Sequence, residues 1–233
     1  MASGPTQQPL STGFASAAVV IIGGGTLSPP AVARARSAIE SGAIVIAADS
    51  GLDHAVESRL HPTVLVGDLD SISASGRMWA YAHEVEVHEY PTDKDFTDTE
   101  LAIELALERA LGGNLLLIGG IDHGDPRLDH VLGTFAALGH ESLAGFSTVE
   151  AIIGTDEVHI VHGGRSAVIN IDAGQTFSLL ALHGPAEGVT TAGARWPLTS
   201  ATLQANRARG VSNIADGPVT LTVGTGVLTM VIP

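Results

Sequence analysis

The chain has no cysteine, which excludes disulfides, thiolate catalysis and Cys-ligated zinc and is compatible with a reducing cytosol. Basic residues are scarce, 11 Lys and Arg against 25 Asp and Glu, giving a formal net charge of −14. A surface of that sign repels nucleic acid and anionic membranes, so neither is expected as a partner. A small cationic substrate meets no such barrier. Long hydrophobic runs are also missing: the apolar stretch 17–22 is too short to cross a bilayer. Residues 1–13 hold no Lys or Arg, so they lack the positive start of a signal peptide. Their Ser, Thr, Gln, Pro and Gly content reads as a flexible tail over 1–15. The expectation is a soluble, cytoplasmic protein.

What is present is a core-forming composition, 45% hydrophobic over 233 residues, enough for one large domain or two small ones. Up to about residue 145 the chain alternates between two periods. Short apolar runs over 18–22, 43–47, 63–66, 85–90 and 115–118 predict strands. Helical patterns over 30–40, 52–60, 73–82, from Thr97 onward and over 128–138 lie between and after them. Thr97 and Glu100 are spaced as a capping box. Strands this apolar, alternating with helices, predict an α/β domain over 16–145 built on a doubly wound, mostly parallel sheet. Over 146–233 the pattern changes to short β-rich runs separated by Gly, Asp and Asn, which predicts an all-β sandwich domain.

In a parallel sheet ligands bind beyond the carboxyl ends of the strands, and polar motifs fall at those ends. Gly67-Asp68-Leu69-Asp70-Ser71 follows the third strand. In extended chain Asp68 and Asp70 project to one side, which suits a shared cation. The structural alternative is a turn capped by the Asp side chains, in which Ser71 takes part. Tyr90-Pro91-Thr92-Asp93-Lys94-Asp95-Phe96-Thr97-Asp98 opens the best helix. Acidic residues at a helix start complement the dipole, but three within six residues, with Lys94 among them, exceed that need. Mg²⁺ on nucleotide phosphates usually takes one or two protein carboxylates, and a Lys in the same cluster suits a polyphosphate beside the metal. The two motifs therefore point to phosphoryl or pyrophosphoryl transfer. Lys94 is then a phosphate ligand, and Asp95 or Asp98 completes the Mg²⁺ shell.

Asp49-Ser50-Gly51 closes the second strand, either as a nucleotide contact or as a helix N-cap. Gly23-Gly24-Gly25 matches neither the Walker pattern nor G-x-G-x-x-G. Arg127 can bind phosphate as a fork, and Asp129 can hold a polar ring edge. His130 is either a base or a structural residue at a helix start. His123 and His130 with Asp122 and Asp125 fit no common zinc spacing. Trp196, one of two Trp, lies in the loop Gly193-Ala194-Arg195-Trp196-Pro197-Leu198, where its ring can stack on a flat or cationic ligand. Gly210-Val211-Ser212-Asn213 is a short polar turn.

Taken in order, these motifs resemble those of the thiamin pyrophosphokinase family, from about residue 18 to the C-terminus. The resemblance implies an α/β ATP-binding catalytic domain and a β-sandwich thiamin-binding domain. It implies a Mg²⁺-dependent transfer of diphosphate from ATP to thiamin, and a homodimer with a shared active site. Carried onto this sequence, Asp68, Asp70 and Asp98 would hold Mg²⁺ and the ATP phosphates, helped by Lys94 and Asp95. Asp49, Ser50 and Gly51 would line the nucleotide pocket and Arg127 would bind phosphate. Asp129, His130, Trp196, Ser212 and Asn213 would serve thiamin. Two departures stand out: the family usually has Gly where Ser50 stands, and the link 121–126 before Arg127 is longer and more acidic. Two other readings share these residues. One is a diphosphokinase for another hydroxymethyl heterocycle such as a pterin, and the other is a non-catalytic ligand-binding regulator, which broken acidic motifs would favour.

Overall fold

The computed structural model describes residues 10–12, 18–119 and 127–233. The rest of the expected 1–15 tail and the 121–126 link lie outside the described residues. Within that tail, β1 (Leu10–Thr12) is a strand. β2 (Val19–Ile22) is the innermost strand of the first of two compact units, Ser16–Ile160. All four of its side chains are fully buried, which an extended segment achieves only with both faces of its sheet covered.

Ser28 caps α1 (Pro29–Glu40), with prolines at its first two positions, where a missing N–H costs nothing. β3 (Ile44–Ala48), α2 (Gly51–Glu57), β4 (Val64–Gly67), α3 (Ala74–Ala82) and β5 (Glu86–Glu89) follow. α4 (Asp98–Ala110), β6 (Asn114–Gly119) and α5 (Leu128–Leu138) complete the alternation. The expected capping box is present: Thr97 Oγ1 accepts from the Glu100 N–H, and the Glu100 carboxylate accepts from the Thr97 N–H at 2.8 Å.

β2 pairs in parallel with β3 on one side and β6 on the other, and β4 and β5 extend the β3 side. The chain therefore winds outward from β2 to β5, then returns to place β6 against β2. The point of reversal lies between β2 and β6, where such sheets open a crevice at their carboxyl ends. Val20, Ile22, Val45 and Leu116 pack with Ala31, Ala35 and Ala38 of α1, while α4 packs across β2, β3 and β4.

The units divide between Ile160 and Val161, not at 145/146 as the composition suggested. β7 (Thr148–Ile153) extends the sheet in parallel beside β6, and β8 (Asp156–His162) adds an antiparallel strand beside β7. Their β-rich sequences look like the start of a sandwich, but their pairing belongs to the first sheet. β5 also departs from the expectation of apolar strands. It is the outermost strand of the parallel run and mostly exposed, and its Glu and His side chains suit an edge that must not recruit another strand.

The second unit contains β1, β9 (Arg165–Ile169), β10 (Thr176–Leu180), β11 (Ala186–Ala194), β12 (Ala201–Leu203), β13 (Asn213–Val223) and β14 (Val227–Ile232). β1, β9, β13 and β11 pair side by side, and β12 pairs with β11. β10 pairs with β14 and also with the first residues of β13. The long β13 alternates buried and less buried residues, and its inner side chains join Phe177, Leu179, Val189, Leu228 and Met230 in one apolar core. β11 and β12 were not expected, because Ala, Gly and Thr give β11 no apolar run to recognise. No helix among the described residues is long and apolar enough to cross a membrane.

The capping box predicts that Thr97→Ala lowers unfolding free energy by about 0.5–2 kcal/mol while Thr97→Ser changes it little. Urea denaturation of both variants checks this; equal losses would remove the hydroxyl from the explanation.

Candidate active site

Two paired strands, β3 and β4, end side by side, and the residues at their ends set the site. β3 ends at Ala48, and Asp49 follows with a left-handed backbone, φ 44°. Its N–H donates to the Val66 carbonyl at 2.9 Å, and its side chain is buried, only 9% of the residue being exposed. β4 ends at Gly67, whose φ of 145° favours glycine. A Cβ there would also lie 3.0 Å from Asp98 Oδ1 and 3.2 Å from Asp49 Cβ. Gly67 thus leaves room beside it for both of those acidic side chains.

Asp68 and Asp70 do not sit in extended chain. Leu69 between them is left-handed, φ 63°, and turns the backbone. For a branched L-residue this costs roughly 1–2 kcal/mol, offset here by burying the Leu69 side chain beside Leu65, Ile72 and Ala80. The Asx-type turn is formed: the Asp70 N–H approaches Asp68 Oδ1 at 3.4 Å and the Ser71 hydroxyl donates to Asp70 Oδ1 at 2.9 Å. The capped turn and the cation geometry therefore coexist. Carboxylate oxygens of Asp49, Asp68 and Asp70 lie within 4.8 Å of one another, a spacing one cation can bridge.

Asp98, expected as a metal ligand, stands apart from that trio. Its Oδ1 is 3.0 Å from Lys94 Nζ, which also lies 3.4 Å from Asp68 Oδ2. Lys94 thus joins the acidic turn to the start of α4. Asp95 is exposed in the bend before that helix and outside the carboxylate trio.

The charges respond accordingly. Burial pushes the Asp49 carboxyl up from its ordinary value; the Ser50 N–H opposes the rise and the Asp98 charge adds to it. Burial acts the same way on Asp68, but the Asp70 N–H and the Lys94 ammonium more than offset it, so Asp68 is held below its ordinary value. Burial alone would lower Lys94, yet Asp98 and Asp68 together raise it. One Asp49 oxygen, Oδ1, is buried with no hydrogen-bond partner among the described residues. An orphaned, buried carboxylate oxygen beside two further carboxylates is a donor set for a hard divalent cation such as Mg²⁺. The residues fit the metal.

Beside this cluster a cavity of about 390 Å³ opens over the ends of β2, β3 and β6, where the winding reverses. Gly24, Asp49, Ser50, Asp98, Arg127 and His130 are among its lining residues. Ser50 is the residue before α2, but its hydroxyl caps nothing. It stands so near Gly24 that a Cβ on that glycine would lie 2.9 Å from Ser50 Oγ, so it takes up room in the cavity. Gly51 has a packing role instead, because a Cβ on it would fall 2.1 Å from the Ile22 carbonyl oxygen. Arg127 and Asp129 pair with each other through two hydrogen bonds of 3.0 and 2.8 Å, and this holds the Asp129 carboxyl down at about 2.

The remaining expected residues lie on the second unit. Trp196 is 57% exposed in the bend after β11, with the Arg195 guanidinium 5.9 Å from its ring centroid. Asn213 is buried and fully engaged. Its Oδ1 accepts from the N–H groups of Trp196 and Ile214, and its Nδ2 donates to the Trp196 carbonyl. Asn213 therefore holds the Trp loop and does not present itself to a ligand. Ser212 is left-handed, and its N–H donates to Ser178 Oγ at 3.1 Å. Gly67 and Leu69 were not singled out by sequence reasoning. A glycine directly before an Asp-x-Asp turn is the signal that could have found the first.

The raised Asp49 value has a sign that can be tested. A folded carboxyl with a raised pKa adds stability below the ordinary range, near 3.9, and that contribution is lost as pH rises through the folded value. In chelator-treated buffer, Asp49→Asn should raise the urea midpoint at pH 7 and give no such gain near pH 3. An equal gain at both pH values would exclude ionisation as its source.

Comparison with known proteins agrees with this architecture. The family model described as the thiamin pyrophosphokinase catalytic domain matches residues 35–145, and that described as the thiamin pyrophosphokinase vitamin B1 binding domain matches residues 163–228. The curated thiamine pyrophosphokinase of Bacillus subtilis (strain 168) is 33% identical over 93 residues, which span 40% of this chain and 42% of that protein. The aligned stretch thus reaches less than half the length of that relative. A crystal structure of thiamine pyrophosphokinase from Bacillus subtilis superposes with a TM-score of 0.74 at 22% identity, covering 92% of this chain and 98% of the other. A thiamin pyrophosphokinase family protein from Enterococcus faecalis gives 0.71 at 20% identity, with the same coverages. Both structural likenesses concern the fold, an α/β nucleotide-type domain followed by a β sandwich. With both of its domain models matched in order along the sequence, the chain belongs to the thiamin pyrophosphokinase family.

Proposed function

We propose that this protein transfers diphosphate from ATP to the hydroxyethyl group of thiamin, giving thiamin diphosphate and AMP. The observation that carries the reading is the Asp49, Asp68 and Asp70 trio, with its orphaned buried oxygen, beside a cavity at the reversal point of the sheet. Asp49, Asp68 and Asp70 would hold Mg²⁺, which when bound would supply positive charge to offset that of the phosphates. Lys94, already between Asp68 and Asp98, supplies a second positive charge at the phosphates. Arg127 at the cavity wall offers its fork to phosphate, exchanging its exposed Asp129 partner for the substrate. The thiamin hydroxyl oxygen attacks the β-phosphorus, the bond from that phosphorus to the oxygen bridging it to the α-phosphorus breaks, and AMP departs with that oxygen. The hydroxyl proton goes to a carboxylate or to water. On the second unit, the exposed Trp196 face attracts the thiazolium cation, and the net charge of −14 favours its approach.

The direct test is incubation with Mg-ATP and thiamin, followed by chromatography. AMP and thiamin diphosphate in equal amounts support the reading. Turnover of a hydroxymethylpterin in preference to thiamin, or binding of both substrates without turnover, overturns it. Asp70→Asn should lower turnover by about a hundred-fold or more, and raising Mg²⁺ should recover part of the loss.

Trp196→Ala should lower kcat/KM for thiamin by about two- to thirty-fold, the range that a cation–π contact of about 0.5–2 kcal/mol implies. The KM for ATP should barely move. Unchanged thiamin kinetics would remove Trp196 from the site.

A further inference from the structure

The turn that carries Asp68 and Asp70 is held from behind, and not by packing alone. Its two ends are fixed. Gly67 ends β4 in register with Glu89 of β5. At the far end, the Asp53 carboxylate of α2 accepts from the Ser73 N–H at 2.7 Å and from the Ser73 hydroxyl at 2.6 Å. The middle is the weak point. Leu69 is left-handed, and beneath it lies a largely apolar cavity of about 420 Å³ lined by Leu65, Leu69, Ile72, Arg77 and Val85 among others. The Leu69 side chain packs with Leu65, Ile72 and Ala80 on one side and borders that open space on the other, so packing grips it from one side only. Beyond the hydrogen bonds within the turn, a directional contact from another element restrains its backbone: the Arg77 guanidinium, one turn into α3, donates to the Leu69 carbonyl oxygen. That carbonyl belongs to the peptide unit that joins Leu69 to Asp70, so fixing it fixes the direction in which the Asp70 carboxylate leaves the turn.

We propose that Arg77 is a positioning residue which, through the Leu69 carbonyl, holds the Asp68–Asp70 turn in the form that brings both carboxylates within one divalent cation's reach of Asp49. The inference rests on the assignment of that trio to Mg²⁺. Arg77 touches neither the cation nor a substrate in this account. Its contribution is preorganisation: without the guanidinium the turn samples arrangements in which the three carboxylates do not converge, and a cation must then supply the free energy of gathering them.

The test is binding of Mn²⁺, as a paramagnetic stand-in for Mg²⁺, to the free protein without nucleotide, followed by electron paramagnetic resonance. Four proteins are compared: wild type, Arg77→Met, Arg77→Lys and Asp68→Asn. Arg77→Met keeps the apolar stem and removes the donors; it should weaken Mn²⁺ binding by about ten-fold, and in the assay it should raise the Mg²⁺ requirement more than it lowers kcat at saturating Mg²⁺. Arg77→Lys restores one donor and should fall between the two. If Arg77→Met fails to fold, Arg77→Lys carries the comparison, and an affinity equal to wild type then overturns the proposal. A lowered thermal midpoint with unchanged Mn²⁺ affinity in Arg77→Met also overturns it, because it makes the contact merely structural. If wild type and Asp68→Asn bind Mn²⁺ equally poorly, the metal assignment itself fails and the positioning role falls with it. Tight binding lost only in Asp68→Asn leaves the metal assignment standing and removes Arg77.

Discussion

The constraint on which the first unit depends is the convergence of like charge. Asp49, Asp68 and Asp70 share one small volume, with Asp98 nearby and Lys94 bridging into the group. Carboxylates this close cannot all stay ionised without compensation, and each one buried without a partner raises the cost. The protein spends several local departures on keeping them together: left-handed backbone at Asp49 and Leu69, and a glycine at 67 where any side chain would crowd Asp98 and Asp49. Strain gathered on the residues that carry acidic groups is a sign that their placement matters more than local stability. A divalent cation would resolve the conflict, since it would supply the missing positive charge and a partner for the orphaned Asp49 oxygen.

The parallel sheet makes this convergence possible. β3 and β4 are neighbours, so their carboxyl ends deliver Asp49 and Asp68 side by side although they are far apart in the chain. The capping box at Thr97 sets where α4 begins and hence where Asp98 stands. The Lys94 contact then fixes the preceding bend against β4's end. Glycines at the end of β2 keep the neighbouring space open for a ligand. The charge cluster thus follows from the pairing of β3 with β4, and the cavity from the winding reversal beside it.

Much of this was legible in the sequence because it is written locally. The start of α4 announces itself through the Thr97 and Glu100 capping box, and the buried strands through unbroken apolar runs. What was not legible depends on pairing or on backbone torsion. β7 and β8 look like sandwich strands, and only their partners assign them to the first sheet. β11 has no hydrophobic signature because glycine, alanine and threonine satisfy its pairing. Asp68 and Asp70 were expected on one side of extended chain; they meet at one point because Leu69 turns the chain between them. The geometry of the motif thus rests on a backbone torsion at Leu69 that residue type alone does not disclose.

Exposure separates the residues that can meet a ligand from those that serve other residues. Arg127 and Asp129 are paired, but their side chains are 61% and 66% exposed. Water competes for such a pair, so its net strength is small and it can be exchanged for a substrate group at little cost. Asn213 is the opposite case: it is buried, and its amide is occupied on both sides by backbone groups of the Trp196 loop and Ile214. Freeing that amide for a ligand would leave those buried partners unsatisfied, a penalty no single new hydrogen bond recovers. Asn213 thus belongs to the apparatus that aims Trp196, and the Trp ring, exposed and rigidly anchored through its own backbone, is the part of that loop free to bind. The same criterion applied to the acidic group marks Asp49 and Asp98, each with a buried carboxylate oxygen that has no hydrogen-bond partner among the described residues. Lys94 stands 3.0 Å from that of Asp98, whereas that of Asp49 is left for a partner from outside.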